Sequence, residues 1–155
     1  MTHLKPGDKA PDFSGQIEGD KEVSLKNYKG IKLVLYFYPK DDTPTCTKEA
    51  CSLRDGYKTL KKHGIEVLGV SPDTTKKHGK FIDKYELPFS LLSDPEQKVL
   101  KAYGVWGPKK FMGREYVGVH RVTFVIDEKG KIEQVIEKVK SKDHANQILE
   151  LLNLN

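Results

Sequence analysis

Apolar positions along the chain fall into short blocks whose period switches between that of a strand and that of a helix. Residues 31–38 (IKLVLYFY) form a nearly unbroken apolar and aromatic run, the pattern of a strand covered on both faces. Pro39 ends it. Beyond the polar turn at residues 40–44, Leu53, Tyr57 and Leu60 are spaced by four and three residues. That spacing predicts a helix from Thr45 to about Lys62, with Gly64 placed as its C-terminal glycine. Residues 65–70 (IEVLGV) read as a second buried strand, stopped by Ser71-Pro72. Asp73 or Thr74 can cap a helix running to about Tyr85, and residues 89–92 give a short strand. Ser93-Asp94-Pro95 opens another helix, with Pro95 in the first turn, where its missing N–H costs nothing. That helix ends near Tyr103-Gly104. Residues 121–127 (RVTFVID) and 131–139 (KIEQVIEKV) are two strands joined by the hairpin loop Glu128-Lys129-Gly130. Asp143 caps a last helix that turns Ile148, Leu149 and Leu152 inward. Residues 12–25 add a hairpin or edge strand.

Strands and helices thus alternate first and end in a hairpin, which predicts an α/β fold with a mixed sheet flanked by helices. No repeat, low-complexity tract or long linker interrupts the 155 residues, so residues 1–155 are expected to form one domain. The longest apolar stretch, residues 33–38, is far below the ~20 residues of a membrane span. The opening residues carry no apolar signal segment, and a cytoplasmic location is expected. The net charge is +5. Only Arg54, Arg114 and Arg121 among the 27 basic residues are arginines. Dispersed lysine keeps a surface soluble, whereas nucleic-acid binders cluster arginine with aromatics, so no nucleic-acid partner is expected.

Chemistry concentrates in residues 38–51, YPKDDTPTCTKEAC, which hold both cysteines of the chain. Cys46 follows a strand and falls in the first turn of a helix. Unpaired backbone N–H groups there favour the thiolate, the form that attacks. Thr43 offers a hydroxyl three residues earlier, and Pro39 bounds the turn. Four residues separate Cys46 from Cys51, so the pair is not the C-x-x-C of a thioredoxin-type site. No second cysteine pair exists and the five histidines are scattered, which argues against a metal centre. On one regular helix a five-residue separation puts the two Cα atoms about 8.6 Å apart. A disulfide needs about 7 Å or less. Bonding Cys46 to Cys51 would therefore require the first turns of the helix to unwind.

The spacing Pro39-x-x-x-Thr43-x-x-Cys46 resembles the active-site motif of peroxiredoxins, and Cys51 resembles the second cysteine of the peroxiredoxin Q (bacterioferritin comigratory protein) subfamily. Residues 7–13 (GDKAPDF), 70–73 (VSPD), 101–107 (KAYGVWG) and 120–127 (HRVTFVID) are similar to further family segments. Thr45 stands where many members carry glycine, which bears on loop flexibility beside Cys46. The resemblance implies a thioredoxin-like fold with an N-terminal β-hairpin extension. It also implies that Cys46 is the peroxidatic cysteine, Cys51 the resolving one and Arg121 the active-site arginine, with Thr43 and Pro39 shaping the pocket. The implied activity is antioxidant reduction of hydrogen peroxide and organic hydroperoxides through a Cys46 sulfenic acid and a Cys46–Cys51 disulfide. Thioredoxin would recycle that disulfide, a monomer would suffice, and no cofactor or metal is implied. Glu49 can brace Arg121 or the loop, or serve the helix dipole. Trp106, Phe111 and Met112 are expected in the core, with a collar around the site as the alternative. A non-catalytic redox sensor and a thiol–disulfide oxidoreductase use the same cysteine pair and stay open.

Overall fold

Alternation along one strand divides the interior in two. The computed structural model describes residues 2–154. In β3 (Lys32–Phe37) and the residue after it, Leu33, Leu35 and Phe37 enter one apolar cluster while Val34, Tyr36 and Tyr38 enter another. A period of two on a fully covered strand requires this division.

The sheet has seven strands in the order β2-β1-β5-β4-β3-β8-β9. At its centre β3 runs parallel to β4 (Ile65–Ser71), and β4 runs parallel to β5 (Ser90–Ser93). The other side of β3 pairs antiparallel with β8 (Val122–Ile126), and β8 pairs with β9 (Ile132–Ile136). The expected N-terminal hairpin is present as β1 (Ser14–Ile17) and β2 (Glu22–Ser24), joined to the sheet through β5. One face is covered by α1 (Pro44–Asp55), α2 (Tyr57–Lys62), α3 (Thr75–Tyr85) and α5 (His144–Leu151). The other is covered by α4 (Lys98–Ala102) and the N-terminal segment around Phe13. The expected mixed sheet with flanking helices is thus observed. Among the described residues no helix is long and apolar enough to cross a membrane.

Several expectations need correction. The helix expected from Thr45 to Lys62 is two helices, broken at Gly56 (φ −95°, ψ 3°). A Cβ on Gly56 would stand closer than 3.0 Å to the Cβ of Ala145, so the glycine lets the start of α5 press onto the end of α1. Pro95 lies in a turn, not in a first helical turn. The Asp94 carbonyl accepts from Gln97, the Asp94 carboxylate accepts from the Leu100 N–H, and α4 begins only at Lys98. Residues 106–119, left unassigned by apolar pattern, form a hairpin of β6 (Trp106–Phe111) and β7 (Arg114–Val119). Its tip is Met112-Gly113 with both φ positive (50° and 80°), as a two-residue turn between twisted strands demands. Phe111 and Met112 sit there 66% and 86% exposed, outside the core, and only Trp106 of the three packs against it. Strand ends also shift: β8 begins after Arg121 and β9 stops at Ile136. Asp143 precedes α5 as expected, but its carboxylate accepts from the Asn146 amide and makes no capping bond.

Candidate active site

Cys46 is the third residue of α1, with Thr43 as N-cap and Pro44 at the first helical position. Proline supplies no N–H, and the first helical bond runs from the Thr47 N–H to the Thr43 carbonyl (2.8 Å). The Thr45 and Cys46 N–H groups are left at the positive end of the helix, where an anion is favoured. Cys46 is buried and Cys51 half-buried; both are free thiols on one unbroken helix, so their expected separation stands.

Arg121 reaches the sulfur from the segment between β7 and β8. Its Nη2 lies 3.2 Å from Cys46 Sγ, and its Nη1 donates to Glu49 Oε1 at 2.6 Å. Of the readings left open for Glu49, contact with Arg121 is the one this bond matches. Burial alone would lower the Arg121 pKa, but its acidic neighbours Glu49 and Cys46 and the bonds to both leave it raised. Burial pushes Glu49 up to about 7 against the pull of the same guanidinium. A bidentate fork suits this task, since its two ends hold two groups in a fixed relation.

The turn before α1 is pinned from below. Asp41 accepts from the Tyr38 hydroxyl and shares a 2.6 Å bond with His78 Nδ1 of α3. Its backbone N–H donates to Asp73, which also accepts from the Ser71 hydroxyl. Asp42 accepts from Lys84 and Tyr85 at the end of α3. Asp41, Asp73 and His78 offer three ligand atoms within 4.8 Å of one another. Each is already engaged in this network, which accounts for their burial without a metal. Thr43 sits half-buried beside the site, with its hydroxyl donating to the Lys40 carbonyl (2.9 Å) and not to the sulfur. Pro39 is half-buried between β3 and this turn.

Sequence reasoning missed three residues of the neighbourhood. Tyr36 reaches it from β3; its hydroxyl is buried without a partner and feels the charges of Glu49, Asp41, Cys46 and Arg121. Its ring lies over Gly69, where a Cβ would meet Tyr36 Cζ at 2.8 Å. Thr123 of β8 and His144 of α5 join through a 2.8 Å bond, with His144 Nε2 3.6 Å from Glu49 Oε2. None carries a local motif; long-range packing alone brings them together.

Comparison with known proteins gives the family. The AhpC/TSA family matches residues 6–135. Peroxiredoxin Bcp of Escherichia coli is 45% identical over 98% of this chain and 97% of its own. Peroxiredoxin Bcp of Bacillus subtilis is 47% identical over 96% and 95%. The crystal structure of a Xylella fastidiosa PrxQ mutant superposes with a TM-score of 0.91 at 30% identity, covering 99% of this chain and 98% of that one. The sheet is accordingly the thioredoxin-like one of peroxiredoxins. A cysteine at a helix N-terminus under an arginine fork, in a chain related to these proteins along its whole length, leads to one conclusion: this chain belongs to the AhpC/TSA family, in its peroxiredoxin Q/Bcp branch, and is a thiol peroxidase.

Proposed function

We propose that Cys46 is the peroxidatic nucleophile and Cys51 its resolving partner. The observation that carries this is the 3.2 Å approach of Arg121 Nη2 to Cys46 Sγ at the head of α1, which sets a cation beside the sulfur and presents donors to a bound peroxide. The thiolate attacks one oxygen of a hydroperoxide, the O–O bond breaks, and the sulfur becomes a sulfenic acid. The Thr45 and Cys46 N–H groups and the Arg121 fork bind the oxygens. The Thr43 hydroxyl joins them on turning from the Lys40 carbonyl, and Pro39 screens the pocket from water. Cys51 then condenses with the sulfenic acid once the first turns of α1 unwind, releasing water. A dithiol such as thioredoxin returns both thiols by exchange. Hydrogen peroxide and organic hydroperoxides are the substrates, a monomer is the working unit, and a reducing cytoplasm is the setting.

Cys46→Ser and Cys51→Ser test the assignment under thioredoxin coupling. We expect the first to consume no peroxide and the second to turn over once and stall. Sustained cycling by Cys51→Ser would show another route of resolution, and turnover by Cys46→Ser would overturn the nucleophile.

A further inference from the structure

Glu49 has no solvent exposure and uses only part of its hydrogen-bonding capacity. Oε1 takes the bond from Arg121, while Oε2 has no hydrogen-bond partner and faces His144 Nε2 at 3.6 Å. The tautomer of His144 follows from its neighbours. Lys140 N–H donates to Gln147 Oε1, and Gln147 Nε2 donates to the Lys138 carbonyl. Gln147 Oε1 is therefore an acceptor, and His144 Nδ1, 2.8 Å from it, carries the ring proton. Nε2 is left with a lone pair, to which the Thr123 hydroxyl donates. Two acceptor atoms thus face each other across a gap too long for a hydrogen bond. A proton on Oε2 would close it once the two side chains draw together and the Thr123 hydroxyl turns aside from the one lone pair of Nε2.

Charge balance points the same way. One guanidinium touches both Cys46 Sγ and Glu49 Oε1, and a second anion in this buried setting would be left uncompensated. We infer that Glu49, backed by His144 and Thr123, is a proton store tied to the oxidation state of Cys46: it holds a proton while Cys46 is a thiolate and releases it when the sulfur is oxidised. This rests on Cys46 being the nucleophile. Burial lifts Glu49 to about 7, and burial lowers His144 to about 4, so the proton belongs to the carboxyl and not to the ring. The titratable and charged groups facing this site are Cys46 on α1, Arg121 before β8, His144 on α5 and Tyr36 on β3, with Asp41 acting on Tyr36 and Lys109 of β6 acting on Arg121 and Cys46.

The balance closes. With Glu49 neutral, thiolate, Cys51 thiol, hydroperoxide and the carboxyl proton give disulfide, alcohol, water and the Glu49 carboxylate, and no proton comes from solvent. With a group at 49 that cannot release a proton, the same oxidation takes one proton from solvent for each thiolate consumed. Release has a structural cause as well, because Glu49 lies between the two cysteines on α1. The unwinding that lets Cys51 reach Cys46 carries Glu49 away from Arg121 and towards water, where a carboxyl ionises at ordinary values.

Glu49→Gln mimics the protonated carboxyl: the amide oxygen can accept from Arg121 and the amide N–H can donate to His144. The experiment oxidises reduced protein with one equivalent of hydrogen peroxide at pH 6.5 in weak buffer. It reads proton uptake with an indicator dye, thiolate lost from its ultraviolet absorbance, and disulfide formed. The wild type should take up less than half a proton per thiolate lost, and E49Q about one. One proton per thiolate in both would overturn the store while leaving Cys46 as nucleophile; no thiolate loss at all would overturn both. On the wild type alone, the infrared difference between oxidised and reduced protein should show loss of a protonated-carboxyl carbonyl stretch. A spectrum without that loss would refute the inference.

Discussion

Replacing Gly56 by alanine sets two effects of known size against each other. The backbone there (φ −95°, ψ 3°) is open to any residue, so the substitution alone should stabilise by about 0.4–1 kcal/mol by narrowing the unfolded ensemble. Against this, the new methyl would stand within 3.0 Å of Ala145 Cβ, and ordinary contact begins at 3.4 Å. Helices α1 and α5 would have to part by more than 0.4 Å, and overpacking of this kind costs about 1–3 kcal/mol. The clash should win, leaving G56A about 1–2 kcal/mol less stable than wild type in urea unfolding of the reduced protein. Ala145 adjoins His144, so the same displacement should also draw the imidazole away from Thr123 and Glu49. The double variant G56A/A145G removes the offending methyl and should recover most of the loss, beyond the helix penalty of glycine. A G56A protein as stable as wild type, or no recovery in the double variant, would refute the packing argument.

Three further outcomes follow from the geometry. Arg121→Lys leaves one ammonium where a fork held both Glu49 and Cys46, and the second-order rate with peroxide should fall about tenfold or more, the equivalent of one lost charged hydrogen bond; a rate within twofold of wild type in stopped-flow would contradict it. Burial raises Glu49 from its ordinary 4.5 to about 7 and lowers His144 from 6.5 to about 4. The first shift removes stability as pH rises from 4.5 to 7, the second adds it from 4 to 6.5, and each is worth about 3 kcal/mol. Wild-type stability should therefore be nearly flat between pH 4.5 and 6.5, whereas E49Q should gain about 2–3 kcal/mol over that range; an equally flat E49Q profile would sink the assignment. Gly69→Ala would place a methyl 2.6 Å from Leu91 Cδ2 and 2.8 Å from Tyr36 Cζ, so it should cost about 1–3 kcal/mol by thermal unfolding, and a neutral result would show that the Tyr36 ring shifts freely.

The parts of the site visible in the sequence were those whose signal is local. The block at residues 31–38, the cysteine just past a polar turn and the motif through Pro39, Thr43 and Cys46 each lie within a few residues, whereas Arg121 was named only through the family resemblance. Thr123, His144 and Tyr36 gave no such signal, because they meet Glu49 only when β8, α5 and β3 pack against α1. The β6–β7 hairpin escaped for a different reason. Its strands are largely exposed, so burial imposes no alternation of apolar and polar residues on them, and its turn is set by Met112-Gly113 and not by a commoner asparagine–glycine pair. Gly56 shows a third limit: the helix period continues across it, and the break reflects the approach of Ala145 from the other end of the chain.

The bonds from Asp41 to Tyr38, Asp73 and His78 tie residues 38–42 to α3 and to the turn before it, whereas the proposed Cys46–Cys51 disulfide requires the helix that follows to come apart. The catalytic mouth thus has a standing lip and a removable wall that meet at Thr43-Pro44. Amide exchange at the lip should stay slow in either oxidation state, and exchange along the first turns of the wall should quicken once the sulfurs are joined. On that proposal, recovery after reduction would amount to one short segment winding back onto a template that stays in place.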